Sequence, residues 1–153
     1  MGEAGCDSPL GPLTLREDGG RLLALAWRPP RRQDDTAILR AGISWLVAYF
    51  SASPLPALPI VVPEGELLQQ AVWRIMLEIP AGETLSYGTV AKRLGADPRA
   101  VGQACGANPL PILIPCHRIV GVDGLGGYSG AGGGATKRFL LRHEGALPAD
   151  LFG

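Results

Sequence analysis

The apolar residues near the start of the chain alternate with polar ones and then change period. Leu13 and Leu15 alternate with polar neighbours, and turn residues at 18–20 precede a second apolar run. Residues 10–27 are therefore predicted to form a β-hairpin. Between Thr36 and Phe50 the apolar residues recur about every 3.6 positions, which predicts an α-helix capped by Asp35 or Thr36.

A proline-rich stretch interrupts this pattern. Residues 51–63 contain Pro54, Pro56, Pro59 and Pro63. Proline lacks a backbone N–H and ends helices, so this stretch is expected to be a linker. The chain is therefore predicted to hold two domains, residues 1–62 with the linker and residues 63–153.

Helical periodicity dominates the second part. An apolar stripe predicts a helix over residues 64–79. Ser86 is expected to cap a short helix that ends at Gly95, and Asp97 to cap another that ends near Gly106. Two short helices joined by a glycine-containing turn are typical of a helix-turn-helix.

The last part combines an apolar run, a reactive-looking motif and a glycine-rich loop. Residues 110–115 (LPILIP) are expected to be extended and to lead into Cys116, His117 and Arg118. The glycine-rich loop covers residues 121–134. Thr136 is expected to cap a final helix over residues 137–144.

Composition supports a globular protein. Of 153 residues, 46% are hydrophobic and 18% are charged. No apolar run approaches the roughly 20 residues of a membrane span, and the N-terminus lacks the features of a secretory signal. Three cysteines without scaffold-like spacing favour a reducing compartment, so we expect a cytoplasmic protein that contacts no membrane.

Charge is distributed unevenly although the formal net charge is zero. Seven of the residues between Lys92 and Arg142 are basic and only Asp97 and Asp123 are acidic. Phosphate binding depends on such a local field more than on the net charge.

Cys116 is the leading candidate for chemistry. A neighbouring imidazole or cation can lower the pKa of a thiol, and His117 and Arg118 follow it directly. Local sequence alone leaves an inert buried thiol about equally plausible. A zinc site of Cys105, Cys116, His117 and His143, a papain-like Cys–His pair and a dinucleotide-binding glycine loop are weaker alternatives.

The motif around this cysteine resembles the signature of the O6-alkylguanine-DNA alkyltransferases. The matching segments are NPLPILIPCHRIVG at 108–121, GETLSYG at 82–88, RAVG at 99–102, GYSG at 127–130 and KRFLLRHEG at 137–145. The resemblance is dense from about residue 64 to residue 145 and loose over residues 10–50. It implies an α+β protein, with a small ribonuclease H-like domain of sheet and helix followed by a mostly helical domain with a winged helix-turn-helix.

The resemblance also implies a reaction. Members of this family transfer the alkyl group of O6-alkylguanine, and less readily of O4-alkylthymine, irreversibly to their own cysteine, without a metal or other cofactor. Cys116 is then the nucleophile, His117 its base through a water, and Glu144 the partner of His117. Asn108 would fix the turn that presents the cysteine, and Tyr87 would protonate the leaving base.

Double-stranded DNA is the implied partner of a monomeric protein, bound through its minor groove with the damaged nucleotide flipped out. The DNA-binding residues would be Arg99, which fills the vacated stack, with Tyr87, Ala100, Gly102, Lys92 and Arg93. The alkylguanine pocket would be formed by Cys105, Pro111, Ile119, Tyr128, Ser129 and Lys137.

Some positions depart from the family pattern. Cys105 stands where methionine or asparagine is frequent, Ala107 replaces a frequent arginine, and the glycine loop differs in length on both sides of Tyr128. The N-terminal part lacks a Cys/His cluster for a structural metal and the four-cysteine module of the related transcriptional activators. A non-catalytic lesion binder is a weaker alternative because Cys116 is present, and a thiol hydrolase is a weaker one because of the basic patch.

Overall fold

The structure is a computed structural model that describes residues 1–147. It divides into two compact units, Met1–Pro63 and Glu64–Gly153. The last six residues of the predicted second domain, 148–153, lie outside the described part. The coarse expectation of a small sheet unit followed by a mostly helical one is confirmed.

The first unit is a three-stranded antiparallel sheet covered by one helix. The strands are β1 (Gly2–Cys6), β2 (Leu13–Asp18) and β3 (Arg21–Ala26), in the order β1-β2-β3. Helix α1 (Ala37–Phe50) packs on the sheet, and Thr36 caps it by accepting a hydrogen bond from the Leu39 backbone N–H. The predicted hairpin and helix are both confirmed.

Strand β1 was not predicted, because its sequence GEAGC shows no apolar alternation. Its edge is paired by side chains from the segment after β3. Asp34 accepts from the Glu3 backbone N–H at 2.9 Å, and Gln33 both accepts from and donates to the Gly5 backbone at 2.9 Å. The strand therefore depends on contacts about thirty residues away along the chain.

The second unit contains four helices and a two-stranded parallel sheet among its described residues. The elements are α2 (Leu67–Glu78), β4 (Leu85–Ser86), α3 (Tyr87–Leu94), α4 (Pro98–Gly106), a 3-10 turn (Cys116–Arg118), β5 (Ile119–Val120) and α5 (Gly134–His143). Strand β4 pairs with β5, which brings the start of α3 beside the segment that follows Cys116. No helix within residues 1–147 is long and apolar enough to cross a membrane.

The two short helices α3 and α4 form as predicted. Ser86 accepts from the Thr89 backbone N–H at 3.0 Å, and Gly95 ends α3 in the left-handed region at φ 61°. Asp97 accepts from the Arg99 backbone N–H, with Pro98 at the first helical position. Helix α2 supports α4, because the buried Trp73 indole donates to the Ala104 carbonyl at 2.9 Å.

Three details of the prediction were wrong. Helix α2 begins at Leu67, three residues later than predicted. Helix α5 begins at Gly134, so Thr136 lies inside it and donates its hydroxyl hydrogen to the Ala131 carbonyl instead of capping. Residues 110–115 form a closed turn and not an extended run, because the Ile114 N–H donates to the Leu110 carbonyl at 2.8 Å.

Substitution of Gly42 by alanine tests the packing of α1 on the sheet. Alanine normally stabilises a helix by roughly 1 kcal/mol over glycine, but a Cβ at Gly42 would lie 2.5 Å from Leu15 Cδ1. Gly42→Ala should therefore lower the free energy of unfolding by about 1–3 kcal/mol through overpacking, as measured by urea denaturation. Gly102→Ala, whose Cβ would approach nothing closer than 4.0 Å, should be neutral or stabilising. Equal effects of the two substitutions would contradict the tight packing at Gly42.

Candidate active site

Asn108 closes the turn that leads to Cys116. Its side-chain oxygen accepts from the Leu110 N–H at 3.0 Å, and its amide donates to the Ile114 carbonyl at 2.8 Å. Inside this turn Ile112 is buried at φ 73°, a left-handed conformation that a β-branched residue rarely adopts. The hydrogen bonds of the buried Asn108 thus stabilise a backbone conformation at Ile112 that a β-branched residue disfavours.

The thiol of Cys116 is buried but forms part of a cavity wall. Only 4% of the residue is exposed, and the cavity beside it measures about 580 Å³. The wall comprises Tyr87, Pro98, Arg99, Gly102, Gln103, Cys105, Gly106, Cys116, Gly127, Tyr128 and Ser129. A group that enters this cavity would be next to Cys116, helix α4 and the glycine loop.

His117, the residue after Cys116, forms a buried pair with Glu144. The His117 Nε2 and Glu144 Oε2 atoms lie 2.7 Å apart, with side-chain exposures of 0% and 1%. Within residues 1–147, His117 Nδ1 has no hydrogen-bond partner from the protein. When Nε2 carries its hydrogen toward Glu144, Nδ1 is the free basic nitrogen of the ring.

Arg118 completes this network, whereas the sequence suggested it only as a positive charge beside the thiol. Its Nε and Nη2 each donate to Glu144 at 2.9 Å, and its Nη1 donates to the Ile79 carbonyl at 2.6 Å. A bidentate arginine is the strongest common partner of a carboxylate. Because 26 residues separate Arg118 from Glu144, no spacing in the sequence indicates the pair.

The pKa shifts follow from burial and from these partners. Burial raises the pKa of the Glu144 carboxyl, but hydrogen bonds from His117 and Arg118 outweigh it and lower the pKa to about 2. Burial lowers the pKa of His117, against the opposing effect of Glu144. Glu144 is therefore an anion while His117 favours its neutral form.

Burial also raises the pKa of the Cys116 thiol, although Asn108 and Lys137 act in the opposite direction. The expectation that a neighbouring imidazole and Arg118 lower the pKa of this thiol is therefore wrong. Desolvation outweighs the nearby cations. Sulfur and imidazole together therefore favour a neutral thiol and a neutral ring.

Tyr87 and Lys137 face the same region. The buried Lys137 Nζ donates to the Ile119 carbonyl at 2.7 Å, to the Gly127 carbonyl at 3.1 Å and to the Tyr87 hydroxyl at 3.2 Å. Burial raises the pKa of Tyr87 to about 12, with the neighbouring cysteines adding to the shift. Lys137 thus joins α3, β5 and the glycine loop through one ammonium group.

Of the residues predicted for the pocket, Cys105, Tyr128 and Ser129 line the cavity with Cys116. Burial raises the pKa of Cys105 to about 12 and also raises that of Tyr128, whose hydroxyl interacts with Cys116. Pro111, Ile119 and Lys137 are buried behind the wall and not on it. The carbonyl oxygen of Ile119 accepts from Lys137.

Of the residues predicted to contact DNA, Tyr87, Arg99 and Gly102 line the cavity. The side chains of Arg99, Lys92 and Arg93 are exposed, and Ala100 is half-buried on α4. In the described part of the chain, no three His, Cys, Asp or Glu side chains are grouped to hold a metal ion.

The chain is similar in sequence to proteins of one known family. Residues 67–146 match the family described as 6-O-methylguanine DNA methyltransferase, DNA binding domain. The methylated-DNA–protein-cysteine methyltransferase of Mycobacterium tuberculosis is 42% identical over 157 aligned positions, 95% of this chain and 93% of that protein. The protein of the same name from Methanosarcina acetivorans is 37% identical and covers 92% of this chain and 96% of its own.

Solved structures show the same similarity. The crystal structure of Mycobacterium tuberculosis OGT in complex with DNA has a TM-score of 0.80 and 40% sequence identity, over 97% of this chain and 96% of that one. The crystal structure of Mycobacterium tuberculosis O6-methylguanine methyltransferase has the same TM-score over 98% of this chain and 96% of that chain, at 38% identity.

The low pKa of Glu144 predicts an acid-dependent loss of stability. Its carboxyl titrates near 2 in the folded protein and near 4.5 when unfolded, so its ionised form stabilises the fold fully above pH 4.5. This contribution, on the order of 3 kcal/mol, should disappear as the pH falls from about 4.5 to about 2. The measurement is urea unfolding of the parent protein and Glu144→Gln across this range.

The difference in unfolding free energy between the two proteins should be largest at pH 7 and should narrow through that interval. Glu83→Gln, which alters an exposed glutamate, is the control and should keep the parent's pH dependence. A difference between Glu144→Gln and the parent that stays constant from pH 7 to pH 2 would contradict a carboxylate held ionised by His117 and Arg118.

Proposed function

Because the chain belongs to the 6-O-methylguanine DNA methyltransferase family, we propose that it repairs DNA directly, by moving the alkyl group from O6 of an alkylated guanine to its own Cys116. The single observation that carries the assignment to this residue is its place in a cavity wall. Cys116 lines a cavity of about 580 Å³, and His117, which pairs with the buried Glu144, follows it directly in the chain.

The first step is removal of the thiol proton. His117 takes it at Nδ1 through a bridging water, and Glu144 stabilises the imidazolium through Nε2. Glu144 can do so because Arg118 keeps it ionised in a buried site. The neutral resting pair protects the sulfur from premature reaction, since the thiolate is the reactive form.

The second step is displacement at a saturated carbon. The sulfur forms a bond to the alkyl carbon while the bond from that carbon to O6 breaks, and its electron pair goes to the guanine. Tyr87 gives its hydroxyl proton to the guanine as negative charge develops there. Solvent then returns a proton to Tyr87 and takes one from His117, so the proton lost by the sulfur balances the one gained by the base and no metal or organic cofactor is required.

The product explains why each molecule acts once. A thioether has no good leaving group, so the alkyl group stays on Cys116 and the site is spent. O4-alkylthymine presents a similar alkyl–oxygen bond and is proposed as the slower substrate. The side chains of Cys105, Tyr128 and Ser129 line the space around the alkyl group and the base.

We propose that α3 and α4 bind duplex DNA from the minor groove, with the damaged nucleotide flipped into the cavity. Helix α4 carries small residues at Ala100 and Gly102, which allow its backbone to approach a narrow groove. Arg99 lies exposed at the cavity edge, where its side chain can fill the gap in the base stack. Lys92 and Arg93, exposed in the last turn of α3, supply phosphate contacts.

The remaining architectural assignments are part of the same proposal. The unit Met1–Pro63 serves as a structural domain of ribonuclease H-like type, and the unit that begins at Glu64 acts as a winged helix-turn-helix that carries out DNA binding and transfer. The protein acts as a cytoplasmic monomer on its DNA substrate.

Mass spectrometry tests the acceptor directly. After reaction with a duplex that contains O6-methylguanine, trypsin should release the peptide 100–118, which holds Cys105 and Cys116. Fragmentation should place one methyl group on Cys116 and none on Cys105. Cys116→Ala should transfer nothing while retaining DNA binding, since the proposed phosphate contacts lie elsewhere, and Cys105→Ala should still be methylated at Cys116. Methyl transfer to any other residue would contradict the proposal that Cys116 is the acceptor.

Arg99→Ala tests base flipping. The variant should repair duplex DNA at least about tenfold more slowly, because the flipped state loses the side chain that fills the gap, at a cost of the few kcal/mol associated with unstacking. Reaction with free O6-benzylguanine requires no flipping and should keep its rate. The experiment compares both rate constants with those of Arg93→Ala. Equal slowing of both reactions by Arg99→Ala would refute the gap-filling role.

A further inference from the structure

The backbone of Gly126 lies directly against the phenol of Tyr87. A Cβ built on Gly126 would be 2.6 Å from the Tyr87 hydroxyl oxygen and 2.7 Å from Cε2. Gly126 also has φ +77°, the left-handed region that side chains disfavour. Gly124 and Gly127, on either side in this loop, have open space at the same position. Among the glycines of the loop, only Gly126 approaches Tyr87.

Lys137 makes a polar contact with the same phenol. Its Nζ donates to the Tyr87 hydroxyl oxygen at 3.2 Å, and it also donates to the carbonyl of Gly127, the residue after the glycine. The ammonium lies 5.4 Å from the centre of the Tyr87 ring. One cation therefore binds both the phenol and the loop that lies against it.

This arrangement determines which way the Tyr87 hydroxyl hydrogen can point. An ammonium group has donors only, so the phenol oxygen must accept from Lys137 and its own hydrogen must point elsewhere. Tyr87 lines the cavity beside Cys116. A hydrogen directed away from Lys137 is thus available to a base in that cavity.

We propose that Gly126 is a positioning residue for the transfer reaction, because its missing side chain lets the loop close on Tyr87 and hold the phenol as a proton donor to the substrate. This inference rests on the proposed function and deepens it. It makes the glycine loop, where the chain departs from its family pattern, a determinant of the transfer rate.

The test is the single-turnover rate of methyl transfer to Cys116 at saturating duplex DNA. Gly126→Ala should displace the phenol and reduce this rate by about ten- to a hundredfold, since a misplacement near 1 Å can cost that much. DNA affinity, measured separately, should change by less than about threefold, because no phosphate contact is removed. Gly124→Ala, in open space on the same loop, should react at the parent rate.

A double-mutant cycle with Tyr87→Phe separates positioning from a general effect on the loop. If Gly126 acts through the hydroxyl, Gly126→Ala should slow Tyr87→Phe by less than about threefold. The same slowing in both backgrounds, or a Gly126→Ala rate equal to that of Gly124→Ala, would overturn the proposal. So would a Tyr87→Phe variant as fast as the parent.

A second variant guards against a folding defect. Gly126→Asn introduces a residue that tolerates the left-handed region and still places a Cβ against Tyr87. Its rate of methyl transfer should therefore also be reduced, while its melting temperature should stay close to that of the parent protein. Loss of folding in both variants would show a structural role and overturn the proposal. Methylation at a residue other than Cys116 in the parent is the separate result that would remove the proposed function itself.

Discussion

One buried carboxylate, Glu144, organises the site. It lies at the end of α5 and receives hydrogen bonds from His117 and Arg118 on the 3-10 turn, so it ties the last helix to the segment that contains Cys116. Removing one partner of a buried ion pair costs about 3–5 kcal/mol, because the other charge is left uncompensated. The same contacts that stabilise this unit therefore also orient the imidazole of His117, the residue after the proposed nucleophile Cys116.

Burial and charge together give the site a resting state and a reacting state. Desolvation raises the pKa of Cys116 and lowers that of His117, which favours a neutral thiol and a neutral ring. Glu144 and Arg118 are charged partners joined by two hydrogen bonds, and Lys137 donates three hydrogen bonds although burial lowers its pKa. The proposed proton transfer from sulfur to imidazole would create a charge pair in a framework whose dipoles are already oriented, which would limit reorganisation during the reaction.

Local features could be predicted from the sequence, and long-range ones could not. The caps at Ser86 and Asp97 depend on neighbours within three residues, so their sequence determines them. The edge strand β1 and the Arg118–Glu144 pair depend on partners 26 to 31 residues away. The turn at residues 110–114 was predicted as an extended segment, because its apolar sequence does not indicate the hydrogen bonds that Asn108 forms with it. Cys116 and His117 were candidates from their adjacency in the chain, Glu144 came only from the motif resemblance, and the contact between His117 and Glu144 came from the fold.

The protonation of the His117 ring is the most direct test of this account. Nitrogen-15 NMR of the ring nitrogens, with His143→Gln to assign the only other histidine, reports which nitrogen carries hydrogen at neutral pH. The account predicts a neutral ring with hydrogen on Nε2, donated to Glu144, and a bare Nδ1 that becomes protonated only when the thiol reacts. A ring with its hydrogen on Nδ1, or one doubly protonated in the unreacted protein, would contradict it.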